Sequence, residues 1–206
     1  ISDQRRRTAG FELGLTHKQS IGNIQLDGTL AYKRGTGAFN AMRAPEETFG
    51  EGTSRMKLIT ADLNLNVPWS IKNTALNFNS AVHAQWNKTR LTAQDKIAIG
   101  GRSTVRGFDG DMSLSAERGF YVRNDLSISY LPNQSIYLAL DAGHVSGPST
   151  QWLLGQTLVG AAIGLKGQFK AGGNLQYDVF VGTPVKKPNG FNTHDTTYGF
   201  NLNYSF

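Results

Sequence analysis

The 206-residue chain contains no cysteine, so a disulfide framework is excluded. It also lacks a long hydrophobic run. The longest uninterrupted stretch of apolar residues and glycine, 158–165, is far short of the roughly 20 residues that a spanning helix needs. Mean hydropathy is −0.34. Position 1 is not methionine, and no apolar stretch follows Arg5, Arg6 and Arg7. No signal peptide is expected here, and the true N-terminus is expected upstream. The formal net charge is +6, but Lys and Arg are scattered and form no stripe, so nucleic acid is not an expected partner. Histidine is sparse. His17, His83, His144 and His194 lie on separate segments, near no clear Ser/Asp partner pattern for a nucleophile and base. No His/Cys/Asp spacing matches a metal-ligand set, and the Gly pairs sit in no strand-to-helix phosphate loop. Neither an enzyme nor a metal or other cofactor is expected.

The chain is rich in period-two alternation. Nine runs carry it, over about 8–17, 21–33, 57–69, 74–87, 119–130, 135–143, 157–169, 173–182 and 195–206. In the third run Ile59, Ala61, Leu63, Leu65, Val67 and Trp69 alternate with Thr60, Asp62, Asn64 and Asn66. In the seventh, Val159, Ala161, Ile163, Leu165 and Phe169 alternate with Gly160, Gly164, Lys166 and Gln168. Most runs match the 9–11 residues of a tilted membrane strand and exceed the usual strand of about 5–6 residues in a soluble sheet. Connections alternate in length. Those at 18–20, 70–73, 131–134 and 170–172 are short, and those at 34–56, 88–118, 144–156 and 183–194 are long. Outer-membrane barrels have this layout, with short periplasmic turns and longer external loops. Trp69, Tyr130, Tyr204 and Phe206 fall at the short-turn end, and Tyr32, Trp86 and Tyr198 nearer the loop end, as interfacial girdles would. A soluble antiparallel sheet also alternates, but strand length, loop alternation and terminal aromatics weigh against it. The expected fold is all-β, an antiparallel transmembrane β-barrel across 1–206. Asn124 stands alone in resisting this reading, on the apolar face of its run. Single-chain bacterial barrels have even strand numbers, and nine strands would leave two raw edges in lipid. The nine are therefore expected to be part of a larger barrel.

The connection after the fourth run holds the most informative segment, IAIGGRSTVRGFDGD at 97–111. Its length marks it as a functional loop rather than a connector. Gly100 and Gly101 permit a tight reversal. Arg106 stands between Val105 and Gly107-Phe108, and its guanidinium offers a planar fork of donors to a carboxylate. If buried, it needs such a partner, and the inward-facing acids Asp125 and Asp141 are the candidates. The alternative is a solvated surface loop with an exposed Arg. Asn77, Asn79, Gln85, Arg123, Asp125 and Lys166 would line the lumen wall.

The wording Ile99-Gly100-Gly101-Arg102-Ser103-Thr104-Val105-Arg106-Gly107-Phe108 resembles the hallmark loop of the insertase/transporter superfamily of outer-membrane barrels. It is most similar to the two-partner secretion (TpsB) transporters, which export hemolysins, adhesins and contact-inhibition toxins. Glu117-Arg118-Gly119-Phe120-Tyr121-Val122-Arg123-Asn124, Ala139-Leu140-Asp141-Ala142-Gly143 and the aromatic terminus Phe206 resemble that family too. The resemblance implies a sixteen-stranded barrel, of which these are the C-terminal nine strands, in the bacterial outer membrane. It implies that the loop folds into the lumen, with Arg106 on Asp141 and with Arg123 and Asp125 also anchoring it to the wall. It implies a large secreted β-helical partner protein. It also implies contact with the lipid bilayer, and with the barrel-assembly machinery during biogenesis through Phe206 as an assembly signal. POTRA domains would lie upstream, outside this chain. The family pattern expects an aromatic two residues before the Asp, where this chain has Ala139. An insertase that assembles other barrels is the alternative within the superfamily, and the Ile-Gly-Gly wording argues against it.

Overall fold

The computed structural model describes residues 7–170 and 172–206; Arg5, Arg6 and Ala171 lie outside the described residues. The alternating runs form β1 (Ala9–Ile21), β2 (Ile24–Thr36), β3 (Lys57–Ile71) and β4 (Thr74–Asn87). Two short strands follow, β5 (Ile97–Ile99) and β6 (Leu114–Ala116). Then come β7 (Arg118–Leu131), β8 (Gln134–Ser146), β9 (Thr157–Lys170), β10 (Asn174–Lys186) and β11 (Thr197–Ser205). The main sheet has nine strands in the order β1-β2-β3-β4-β7-β8-β9-β10-β11. Every pairing is antiparallel between neighbours in the chain, apart from the step from β4 to β7, which leaves β5 and β6 as a separate hairpin in the connecting loop. The sheet does not close: β1 and β11 have one neighbour each.

Strand register shows why the alternation matters. Leu13, Tyr32, Ile59 and Trp86 stand opposite one another across β1 to β4, and Val82, Val122, Ala142 and Val159 do so across β4 to β9. These belong to the outer face, and it is apolar and open: Leu13 is 72% exposed, Leu138 62% and Phe200 77%. A continuous apolar surface of this kind is not left to water in a soluble monomer. The buried core lies on the opposite face, beneath the β4–β7 loop.

The first hairpin differs from the sequence expectation. Residues 18–20 are not a turn but lie within β1. The chain reverses at Gly22, whose φ of 58° is in the left-handed region that glycine adopts without strain. Polar Lys18, Gln19 and Ser20 look like turn residues, yet a strand that projects past the bilayer is hydrated and accepts them. The long connections also hold more structure than alternation reveals. Short 3-10 helices occupy Ala38–Asn40, Pro45–Phe49, Ala93–Asp95 and Pro148–Trp152.

The outward face yields a direct test. Replacing Leu138 with Arg in the full-length protein is expected to cost about 2–4 kcal/mol of folding free energy in lipid vesicles, as for Arg at the bilayer midplane. A change within about 0.5 kcal/mol in urea titrations is the result for a water-exposed site, and it would contradict a lipid-facing surface.

Candidate functional site

The β4–β7 loop folds back onto the inner face of the sheet and packs against β7 to β10. Its descent begins in β5. Thr104 then ties the reversal: its hydroxyl oxygen accepts the N–H groups of Gly100 and Gly101, both at 3.2 Å. The Val105 N–H reaches the Gly101 carbonyl at 3.0 Å. Val105 and Phe108 point into a small core with Ile97, Ile99, Leu114, Val145 and Leu158. Phe108 meets Phe191 edge to face at 5.8 Å, which brings in the β10–β11 connection. Each large apolar side chain buried here contributes on the order of 1.5–3 kcal/mol. The loop is thus held by its own core before any charge is counted.

Between these two anchors Arg106 turns to the wall. It is 2% exposed, and Asp141 is fully buried. The guanidinium grips Asp141 with two donors, Nε to Oδ2 and Nη2 to Oδ1, each at 2.7 Å. The Arg106 backbone N–H donates to the same Oδ2 at 2.9 Å. Nη1 donates to Asp125 at 3.2 Å, and Nη2 also reaches the Asn124 carbonyl at 3.1 Å. Bidentate charged bonds of this kind are stronger than neutral ones. Burial opposes the charge on Arg106, but the carboxylates of Asp141 and Asp125 outweigh it and raise the pKa above its ordinary value. Lys166 bonds the other oxygen of Asp125 at 2.8 Å. Arg123 lies across from Asp141 in register, with Nε 3.8 Å from Oδ2, and its Nη1 reaches the Ser103 carbonyl at 3.4 Å.

Several wall residues complete the site beyond the sequence candidates. Tyr137, four residues before Asp141 on the same face, lies beneath the cations. Its ring centre is 5.5 Å from the Arg106 guanidinium carbon and 5.1 Å from Lys166 Nζ, within the range of cation–π attraction. Its hydroxyl donates to Asp178 at 2.8 Å. An aromatic therefore does reach the arginine, from position 137 rather than 139, and Phe180 packs against the cluster of Tyr137, Ala139 and Ala162. Gly160 and Gly107 allow the close approach. A Cβ at Gly160 would overlap the Arg106 carbonyl oxygen, and one at Gly107 (φ 103°) would overlap the Thr183 carbonyl. Asn124 also finds its place here. Its N–H donates to Asp141 Oδ1 at 3.2 Å, and its side-chain amide donates to the Leu140 carbonyl at 3.1 Å. Its outward amide is thus satisfied by the neighbouring strand.

Two further ties hold the loop at its ends. Glu117 accepts the Ser149 N–H at 3.1 Å and lies 3.6 Å from Lys96. Burial alone would raise its pKa; the Ser149 bonds and Lys96 outweigh that and hold it low. Asp109 accepts both the N–H and the Nδ1 of His194, each at 2.8 Å. Two of the four histidines meet carboxylates: His194 pairs with Asp109 and His83 with Asp62 at 2.6 Å. Asp109, Asp111 and His194 place ligand atoms within 4.8 Å of one another, the only such metal-capable group among the described residues. Spacing could not show it, because 85 positions separate Asp109 and His194. Phe206 belongs to neither tie. It lies past the end of β11, fully exposed, with its ring centre 6.3 Å from that of Tyr204.

Asp141 and Asp125 are expected to differ under mutation. Asp141→Ala leaves the buried Arg106 short of its main partner and should cost about 3–5 kcal/mol of stability. Asp125→Ala should cost less, because Asp141 still holds Arg106. Equal losses in urea unfolding of the full-length protein would contradict this ranking. His194 gives a pH test. Its bond to Asp109 raises its pKa above the ordinary 6.5, so the clasp is complete below that pH and weakens as pH rises through the raised value. An NMR titration of His194 should give a midpoint above 6.5 that falls toward it in Asp109→Asn.

Comparison with known proteins agrees with this architecture. The family model for haemolysin secretion/activation proteins ShlB/FhaC/HecB matches residues 1–167. The outer membrane transporter CdiB-2 of Burkholderia pseudomallei is 38% identical over 208 residues, covering 100% of this chain and 36% of its own length. The hemolysin transporter protein HpmB of Proteus mirabilis is 31% identical over 127 residues, covering 60% of this chain and 22% of its own. The solved structure of CdiB from Acinetobacter baumannii superposes with a TM-score of 0.79 at 30% identity, over 98% of this chain and 34% of that one. This chain thus spans about a third of the length of the transporters of the CdiB type that it matches. With its family model matched over 167 residues, its nine strands in one open antiparallel sheet and an arginine loop on their inner face, the chain belongs to the ShlB/FhaC/HecB haemolysin secretion/activation family.

Proposed function

We propose that this chain is the C-terminal barrel part of a bacterial outer-membrane transporter that exports a large partner protein by two-partner secretion. The observation that carries the reading is the seating of Arg106: a buried arginine on a folded-back loop, gripped by Asp141 on the inner wall. A soluble sheet packs its apolar face on a core, whereas here the apolar face is exposed and the polar inner face carries the loop. A polar wall suits an extended chain in transit, because it offers hydrogen bonds without apolar traps. Asn77, Asn79 and Lys166 belong to that wall, whereas Gln85, expected there from its parity, is buried beneath the loop with its amide donating to the Asp95 and Glu117 carbonyls. The relatives' names support export: a hemolysin transporter and outer membrane transporters. They favour transport over catalysis.

The reading assigns roles to the loop and the wall. Val105 and Phe108 seat the loop, and Gly107 lets it approach β10 closely. Arg106 fixes its position through Asp141, with Asp125 and Arg123 completing the charge balance. Gly100 and Gly101 shape the reversal. Phe206 serves assembly of the barrel, and POTRA domains upstream recruit the partner.

The test is Arg106→Ala in the full-length protein. Secretion of the partner is expected to fall roughly tenfold or more, because a buried ion pair loses its cation. Barrel abundance in the outer membrane is read in parallel by heat-modifiable mobility, and secretion is expressed per folded barrel, because Asp141 is left buried without its main partner. Unchanged secretion at normal abundance would remove the central role given to Arg106.

A further inference from the structure

The outer face changes character at its loop end. Arg34 lies opposite Lys57 in register, and the Lys57 carbonyl accepts the Lys88 N–H at 2.8 Å. Three cations thus follow one another from β2 through β3 to the end of β4. Each continues an outward alternation: Arg34 follows Leu30 and Tyr32, Lys57 precedes Ile59 and Ala61, and Lys88 follows Trp86. Arg118 precedes outward Phe120 and Val122 on β7. Past a register shift between Pro184 and Lys186, Lys186 stands opposite outward Val159. All five are exposed. Among the described residues, none of the five has an ion-pair partner.

The other end of the same face is different. There Ile21, Ile24, Trp69, Tyr130, Phe169 and Tyr204 point outward, with no Lys or Arg among the described outward strand residues. The asymmetry has a physical reading. Like charges placed directly opposite one another destabilise a sheet, and an anion held between them relieves that repulsion. The row lies one step beyond the aromatics Tyr32 and Trp86, at the level of lipid headgroups. Arg and Lys both bind phosphate, Arg as a two-pronged donor and Lys as a compact charge. The exposed apolar surface continues below the row, at Leu13, Leu30 and Trp86, where acyl chains would lie. An anion with an attached hydrocarbon fits this surface better than a free one.

We infer that Arg34, Lys57 and Lys88, continued by Arg118 and Lys186, form a belt that binds the phosphate groups of lipid headgroups in the leaflet on the loop side. The inference rests on the membrane placement proposed above, but not on export. No residue of the belt belongs to the Arg106 site.

The experiment uses the purified full-length protein in detergent micelles. Lipid A, a glycolipid bearing two phosphates, is titrated in, and bound lipid is counted by native mass spectrometry. The triple variant Arg34→Gln, Lys57→Gln, Lys88→Gln should bind lipid A roughly tenfold or more weakly, given the attraction of each basic residue to anionic headgroups. On the unaltered protein, lipid A stripped of its phosphates should bind roughly tenfold or more weakly than intact lipid A, and inorganic phosphate at equal concentration should not compete. Undiminished binding by the triple variant overturns the proposal, as does equal binding of the stripped lipid. Competition by inorganic phosphate overturns its lipid part. If the triple variant does not fold, the two measurements on the unaltered protein decide. Because the readout is bound lipid, its outcome is independent of whether secretion depends on Arg106.

Discussion

A buried guanidinium persists only where carboxylates meet it, and Arg106 imposes that requirement on the inner face. Asp141 answers with both oxygens, Asp125 takes a third donor, and the Asn124 carbonyl takes a fourth. Lys166 balances the second acid, and Tyr137 lies under both cations. Four strands contribute to this one cluster, since Asp178 on β10 holds the Tyr137 hydroxyl. The loop could not come this close without the bare backbone of Gly160 beneath it. A single side chain thereby couples a long loop to β7, β8, β9 and β10.

The pair does not act alone. The small core around Val105 and Phe108 supplies non-directional attraction, while the arginine supplies direction. Glu117 and Asp109 then tie the loop to the β8–β9 and β10–β11 connections. The arrangement separates two tasks. Apolar burial keeps the loop on the wall, and the ion pair sets where on the wall it rests. The outer face obeys a different rule. Its apolar residues are exposed because their proper solvent is hydrocarbon, and its register rows keep one polarity across many strands.

Alternation was legible because each strand has one polar and one apolar side, and period two survives in the sequence without any knowledge of contacts. It placed Asp141 and Asp125 inward, and it marked Asn124 as an exception. Turn positions were less legible. Residues 18–20 are polar enough to suggest a reversal, but the deciding feature is the left-handed backbone at Gly22, which composition does not display. The β5–β6 hairpin was also hidden, since three-residue strands carry too little periodicity to register.

The sequence by itself determined the strands, their two faces and the loop that carries Arg106, because these depend on local order along the chain. Tertiary structure decided what meets the loop. Tyr137, Gly160, Asp178 and His194 are distant from it in sequence, and only strand register and the folded-back path bring them within reach. It also decided the meaning of Asn124, whose amide has a partner only because β8 runs beside β7. Hydrogen bonds and close backbone approaches are set by three-dimensional distance, and a one-dimensional pattern carries parity but not distance.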